Sequence, residues 1–196
     1  MAILTFPATL IPSRSTWGIK FNSEQFTSPI TGTTQTVQRL GARWKATLEF
    51  TGLSPAQGGE LDAFLAALGG RSGRFFLYPH HRPGNVAAGV TSGALAAGAT
   101  TCTATGYTPN AQVFKAGDYV AIGGQLKILT APATANSSGA VTLQFAPPMR
   151  SALGSGLSVV GNKPTVVMML DSDEYLIGRS AEPVMDSFVI SCSEAL

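Results

Sequence analysis

Residues 59–84 read GELDAFLAALGGRSGRFFLYPHHRPG, a helical pattern followed at once by a short aromatic strand pattern. The helix signal begins just upstream, where Ser54 is a good N-cap, Pro55 suits the first helical position and Gln57 completes a capping box. The apolar stripe and the glycine stop that follow are Leu61, Phe64, Leu65, Leu68, Gly69 and Gly70. A helix this short needs its apolar face covered, so the stretch predicts one helix packed on a β-sheet.

The segments on both sides of this helix alternate apolar and polar residues with a period of two, which is typical of half-buried strands. In WGIKF, the apolar side consists of Trp17, Ile19 and Phe21. WKATLEF at residues 44–50 and DSFVISCSEA at residues 186–195 repeat the pattern. Between the first two strands lies a segment rich in Thr and Gln, which is either another strand or an extended arm.

The composition changes in residues 83–160, where only four of 78 residues are charged, against 20 in the other 118. Short strand patterns follow one another here, with a tight turn at Gly123 and Gly124. The earlier style returns near the C-terminus, as expected for a domain inserted at a surface loop. The sequence therefore predicts a mostly β fold. Residues 1–82 and 161–196 form a discontinuous β-sandwich with one short α-helix, and residues 83–160 form an inserted small β-barrel or sandwich.

The chain carries few charges: they make up 12% of its 196 residues, against roughly 25% in an average soluble domain. Mean hydropathy is +0.20, yet no apolar run approaches the ~18 residues that a membrane-spanning helix needs. The net charge is +2 and the basic residues are scattered, so no nucleic-acid footprint is indicated. Because protein interfaces are depleted in charge, we expect association to cover much of the surface.

Candidates for chemistry are few. His80 and His81 are the only histidines, and adjacent residues of an extended chain point in opposite directions, which disfavours joint metal binding. A hydrolase using either histidine is one alternative, although no nucleophile motif accompanies them. Cys102 and Cys192 are predicted to be buried thiols, and DSDEY at residues 171–175 a charged hairpin tip. The sequence thus predicts no catalytic, cofactor or metal site, and a protein that is not an enzyme.

The order of these patterns resembles the distal tail protein family of siphophages, the long-tailed bacteriophages. The similarity extends over most of the chain, roughly from Trp17 to the C-terminus, and consists of loose motifs. In chain order these are W-x-A-x-L-x-F-x-x-L, LDAFLAALGG, RFFLYPHHRPG, FKAGDYVAIGG, GAVTLQFAPPMR, KPTVVMMLDSDE and SFVISCSEAL. The resemblance implies a ring-forming β-sandwich with an outward β-domain, located between the tail tube and the baseplate hub and often hexameric.

The resemblance leads us to expect a structural virion protein of the phage tail tip, made in the host cytoplasm, whose ring joins the tail tube to the baseplate hub. Its expected partners are copies of itself, as a hexamer by resemblance, and the tail tube and hub proteins. Neither a membrane nor a specific nucleic acid is expected as a partner. The first interface candidate is the Thr- and Gln-rich segment, because extended arms can add strands to a neighbour's sheet. Its residues are Thr31, Thr33, Thr34, Gln35, Thr36, Val37 and Gln38.

A carbohydrate-binding module that recognises the host surface is the alternative from another class of proteins. Such a module would use exposed aromatic rings as platforms for sugar rings. The candidates are Trp17, Trp44 and Tyr107. The two tryptophans lie in strand patterns, where such residues are more often part of the core. For Tyr107, the sequence gives the weakest indication of a place in the core. Aromatic side chains clustered on one exposed face would favour this alternative.

Overall fold

The computed structural model describes residues 2–177 and 185–196. One α-helix, Pro55–Leu68 (α1), is followed by a 3-10 turn at Gly70–Ser72. The remaining regular elements are strands. In chain order they are Leu4–Thr5 (β1), Arg14–Thr27 (β2), Thr34–Leu53 (β3), Phe75–Leu77 (β4), Val86–Thr91 (β5), Thr101–Thr105 (β6), Gln112–Phe114 (β7), Tyr119–Ile122 (β8), Gln125–Leu129 (β9), Ala133–Thr134 (β10), Val141–Ala146 (β11), Ser158–Gly161 (β12), Val166–Leu170 (β13) and Met185–Glu194 (β14).

These strands build one open sheet and one closed barrel. The sheet has the order β1-β4-β13-β14-β3-β2, with β1 parallel to β4 and the other neighbours antiparallel. The barrel has the order β11-β6-β5-β12-β8-β9, and β7 pairs with β10 beside it. The chain leaves the sheet after β4, builds the whole barrel, and returns to the sheet with β13.

The helix begins and ends where the sequence predicts. Ser54 Oγ accepts a hydrogen bond from the Gln57 amide at 3.4 Å, and Gln57 Oε1 accepts one from the Ser54 amide at 3.1 Å, which completes the capping box. Gly69 ends the helix with a φ of 64°, a left-handed conformation that glycine adopts without strain. Both signals act over a few residues, which explains why the sequence alone located this element.

One face of α1 covers the inner face of the sheet. Leu61 and Leu65 are fully buried there. The Phe64 ring meets the Phe75 ring edge to face at 5.6 Å and the Phe6 ring at 5.3 Å, measured between centroids. The predicted mostly β fold, with one helix and a small β-barrel, is confirmed. The part predicted as a β-sandwich takes the form of one six-stranded sheet with α1 as the layer packed against it.

The barrel encloses an apolar core of its own. The turn predicted at Gly123 and Gly124 joins β8 to β9 in the structure. Cys102 is buried in the barrel core and Cys192 in the sheet core, as predicted. Burial raises the pKa of the Cys102 thiol to about 11 and that of Cys192 to about 12, so both thiols stay protonated at neutral pH.

Buried polar contacts join the sheet to the barrel. The Glu194 carboxylate on β14 is 1% exposed, accepts a hydrogen bond from the Trp44 amide at 3.1 Å, and pairs with Arg150 of the barrel at 2.5 Å. The Trp44 indole donates to the Leu126 carbonyl at 2.7 Å. Lys127 is fully buried nearby and donates to two barrel oxygens. Burial lowers the pKa of its ammonium group to about 8.

The two segments that connect sheet and barrel run side by side, and the Lys163 amide donates to the Pro83 carbonyl at 2.5 Å. One apolar cluster extends across the junction, because Tyr119 and Leu126 of the barrel pack with the core of the sheet. Sheet and barrel therefore share part of one core. The division into folding units at the predicted boundaries, 1–82 with 161–196 and 83–160, stays a prediction.

Removing an apolar side chain of α1 should destabilise the protein. We expect Leu61→Ala and Phe64→Ala each to lower the free energy of unfolding by about 2–5 kcal/mol, because each leaves a cavity between helix and sheet. Urea denaturation followed by circular dichroism measures the change. The control, Ala63→Ser at an exposed position of the same helix, should cost less than about 1 kcal/mol. If Leu61→Ala and Phe64→Ala cost no more than Ala63→Ser, the apolar face of α1 is not part of the core.

Breaking the buried ion pair should be costly, unlike breaking an exposed one. We expect Glu194→Gln to lower the free energy of unfolding by about 3 kcal/mol, because Arg150 keeps its charge and loses its only described carboxylate partner. The matched control is Glu49→Gln, whose ion pair with Arg14 at 3.9 Å is exposed and should contribute at most about 1 kcal/mol. The same denaturation experiment compares the two. If Glu194→Gln lowers the free energy of unfolding by no more than Glu49→Gln does, the buried ion pair does not stabilise the protein.

Candidate assembly interface

The β2–β3 hairpin extends well beyond the sheet. β14 pairs with β3 only between Leu53 and Lys45, whereas β2 stays paired with β3 as far as Thr27 and Thr34. Residues 21–40, here called the arm, therefore form a two-stranded ribbon with its own turn. Its strands reach roughly 20 Å from the sheet, at about 3.3 Å per residue. Every side chain of the arm except that of Ser28 is exposed.

A bulge at the base separates the arm from the sheet. Lys20 lies opposite Arg43, but the next pair is Asn22 opposite Arg39, so β3 carries two extra residues at this point. Gly41 occupies the bulge with a φ of 110°, where another residue would be strained. Asn22 Nδ2 donates to the carbonyl of a bulge residue at 3.2 Å. The bulge bends the ribbon and thereby sets the direction in which the arm leaves the sheet.

The two faces of the arm differ in chemistry. Strand residues alternate between faces, so the register defines which side chains share a face. One face carries only uncharged polar side chains: Ser23, Gln25, Thr27, Thr34, Thr36 and Gln38. The other face carries an apolar pair and a charged pair among its six residues. These are Asn22, Glu24, Phe26, Gln35, Val37 and Arg39, with Arg39 and Glu24 in an ion pair at 2.7 Å.

Large apolar side chains are concentrated on the arm. Among the residues the structure describes, twelve such side chains are exposed, and five of them lie in the arm: Phe21, Phe26, Ile30, Val37 and Leu40. Ile30 at the tip is 91% exposed. The arm is also a ribbon of two strands, which is marginally stable in water without a further packing surface. Both properties are those of a segment that packs against another molecule.

The structure places the predicted interface residues together on the arm. Thr31 and Thr33 belong to its turn, where their hydroxyl oxygens lie 2.8 Å apart. The other five, residues 34–38, form one strand of the ribbon. The segment is thus both things that the sequence allowed, a strand and an extended arm. That it forms an interface stays a prediction.

The apolar residues of this surface were not predicted from the sequence. The alternation in WGIKF predicts that Phe21 lies on the buried side of a strand together with Trp17 and Ile19. Trp17 and Ile19 do pack against the core, but Phe21 is 48% exposed, so that assignment is wrong for Phe21. The reason is that the covered part of the sheet ends at this level, while β2 and its alternating pattern continue. The signal in the sequence that could have revealed this exposure is the length of the alternating pattern, which continues beyond the neighbouring strands.

The two histidines lie at the junction of sheet and barrel and face different elements. The His80 ring lies 4.3 Å from the Tyr78 ring and 5.9 Å from the Phe6 ring, whereas His81 meets Tyr119 of the barrel edge to face at 5.7 Å. Burial lowers the pKa of His80 to about 4, helped by the charge of Lys163. In the described part of the chain, no group of three or more His, Cys, Asp or Glu side chains could hold a metal ion.

The other residues considered for binding or chemistry are in contact with other parts of the chain. Trp44 and Tyr107 are buried, the latter against Phe114 in the barrel, and Trp17 is half-buried against Trp44. All three rings pack against other aromatic rings of the chain. Two of the three carboxyl groups of the 171–175 segment contact other parts of the chain: Asp171 lies 3.8 Å from the Lys45 ammonium group, and Asp173 accepts a hydrogen bond from the Arg71 amide.

No protein-family model matches the chain, and the search of the curated proteins finds no match. No helix in residues 2–177 and 185–196 has the length and apolar character required to cross a membrane. The resemblance to distal tail proteins therefore stays a prediction from the sequence. The arm is the feature of the structure on which a functional proposal can be based.

Acidification should destabilise the junction through His80. Its pKa is about 4 in the folded protein and near 6.5 when exposed, so the unfolded chain binds the proton more tightly. The stability is therefore complete above about pH 6.5 and is lost as the pH falls towards 4. We expect His80→Phe, which keeps a ring beside Phe6 and Tyr78, to reduce this loss. Urea unfolding at several pH values between 7 and 4 measures it, and an unchanged pH dependence would contradict the assignment.

Proposed function

We propose that this chain is a structural protein of a bacteriophage tail tip, which forms a homo-oligomeric ring joining the tail tube to the baseplate hub. The observation that supports this proposal is the exposed two-stranded arm with five large apolar side chains. The phage context comes from the resemblance of the sequence to distal tail proteins. Ring formation, the virion location and the tube and hub partners are all parts of the proposal.

The position of the arm favours a head-to-tail contact. It extends from one end of the sheet, and its exposed side chains lie away from the core of its own chain. A neighbouring copy that covered the arm would present a different surface from the arm itself. Repetition of such a heterologous contact generates a ring when the rotation between copies closes. A ring of six is the number that the resemblance implies.

The low charge of the chain supports the same proposal. In the barrel region, residues 83–160, only four residues are charged. Apolar and uncharged polar side chains dominate the surface of the arm as well, where the one described ion pair is that of Arg39 and Glu24. Association removes such surfaces from water with little loss of charge hydration, and the apolar contacts contribute the larger part of the free energy.

No observation in the described residues favours the alternative of a carbohydrate-binding module. The three aromatic residues named for it are buried or half-buried. The exposed aromatic residues of the arm, Phe21 and Phe26, lie on opposite faces of β2, because side chains alternate along a strand, so they do not form one platform. Glycan binding is therefore the result by which an experiment would favour this alternative.

Shortening the arm should abolish oligomers without unfolding the chain. Ser23 and Gln38 are register partners, so replacing residues 24–37 by an Asn-Gly turn shortens both strands equally. Deleting residues 31–38 alone would leave β2 without its partner. We expect the wild-type chain to form a ring and the shortened chain to be monomeric, with a similar melting temperature, because the arm contributes little to the core. Mass photometry over a concentration series measures the oligomeric state.

The matched controls test whether the apolar contacts carry the association. Phe26→Ser and Val37→Ser remove apolar area from the arm, while Val90→Ser removes an equally exposed apolar side chain from the barrel. The first two should weaken the oligomer, and the third should leave it intact. A wild-type chain that stays monomeric and does not bind purified tail tube or hub proteins would overturn the proposal. Binding of that monomer to a glycan array would favour the carbohydrate-binding alternative.

A further inference from the structure

The outer face of the β2–β3 hairpin is the face that carries Arg14 and Lys20. The charges on this face follow one pattern, with one exception. Charged residues on this face are matched across the two strands: Arg14 lies opposite Glu49 and within 3.9 Å of it, and Arg39 pairs with Glu24 at 2.7 Å. Opposite charges in facing positions stabilise a sheet, and like charges destabilise it. Between these two pairs, at the base of the arm, two cations face each other instead.

The exception is Lys20, which lies directly opposite Arg43. Both side chains are exposed, and neither has an ion-pair or hydrogen-bond partner among the described residues. Lys45 follows two positions after Arg43, so its side chain lies on the same face. Lys45 is already paired with Asp171 at 3.8 Å, so Lys20 and Arg43 are the two positive charges of this area that no described carboxylate compensates. A negatively charged partner would relieve the repulsion between them.

The shape of this region also fits a partner. The three cations line a hollow of about 430 Å³ at the bulge, together with Asn22 and Ser193. In addition, β2 is the last strand of the sheet, so one of its edges has no neighbouring strand in the described residues. An unpaired edge is a template for another strand. The charge and the open edge are independent observations, and both lie at Lys20.

We propose that this basic site binds an extended acidic segment of a partner protein, which adds to the sheet beside β2. A strand added there lies about 4.8 Å from β2, and its side chains alternate between the two faces. Every second side chain therefore points to the face that carries Lys20, Arg43 and Lys45. Acidic residues at alternate positions of the segment match these cations. The partner class is thus a protein with a Glu-x-Glu or Asp-x-Asp strand.

The chain has an Asp-x-Asp sequence of its own at residues 171–173, but both carboxylates already have contacts within the chain. Asp171 lies 3.8 Å from the Lys45 ammonium group, and Asp173 accepts the hydrogen bond from the Arg71 amide. A second copy would have to break these contacts to supply the same two carboxylates. A different protein is therefore the better match for the site. The inference concerns the base of the arm and does not depend on the formation of a ring.

A peptide-binding experiment tests the site on the full chain. The probe is the end-capped peptide TEVETEV, and the control peptide is TQVQTQV, which has the same strand pattern without charge. In about 50 mM NaCl, we expect the acidic peptide to bind about tenfold more tightly, and the difference to shrink in about 300 mM NaCl because exposed ion pairs are screened. Fluorescence anisotropy measures both affinities.

Charge-matched variants locate the binding. The double variant K20Q/R43Q should lose the preference for the acidic peptide, whereas R14Q/K115Q, which removes two exposed charges elsewhere, should keep it. The variant K20E should likewise lose the preference and should raise the melting temperature, because Glu faces Arg43 in place of Lys. A lowered melting temperature would mean that the cation pair has a structural role, and the proposal would fail.

Three further results would overturn the proposal. The first is equal binding of both peptides, or of neither, by the wild-type chain. The second is binding of a double-stranded DNA oligonucleotide as tightly as the acidic peptide, which would assign the site to phosphate groups. The third is a salt-sensitive self-association that K20Q/R43Q abolishes, which would make a second copy the occupant. Loss of ring formation on shortening the arm bears only on the proposed function, since residues 20, 43 and 45 remain in that variant.

Discussion

The buried carboxylate of Glu194 is the contact on which the arrangement of sheet and barrel depends. It accepts the amide of Trp44 and pairs with Arg150, so one side chain joins the last strand, the longest strand and the barrel. A buried charge is tolerated only when its partners are in place. This requirement selects one docking of barrel against sheet, and the Trp44 indole reinforces it through its hydrogen bond to Leu126.

The arm is the part of the fold that this packing does not stabilise. Its strands continue past the end of β14 pairing and past the cover provided by α1, so its side chains gain no burial from their own chain. Burial of its five exposed apolar residues against another surface would be favourable. The bulge at Gly41 fixes the angle at which the ribbon leaves the sheet, and thereby the direction of the arm. Exposure and direction together make the arm the basis of the proposed assembly.

The base of the arm combines two features that folding alone does not favour. Lys20 and Arg43 repel each other across the hairpin, and the edge of β2 is open beside them. Stability by itself would place an opposite charge at one of the two positions, as it does for Arg14 and Glu49. Positions where a local rule is broken are often functional positions. The arm and its base thus present two distinct surfaces, an apolar one and a basic one.

The sequence alone determined the elements whose causes are local. Capping at Ser54, the glycine stop at Gly69 and the turn at Gly123 follow from neighbouring residues, and the alternation of strands follows from their period. The tertiary structure decided which strands stay paired beyond the covered part of the sheet, and therefore that Phe21 is exposed. It also decided that Lys20 faces Arg43, because register depends on long-range pairing and on a bulge that has no local signature.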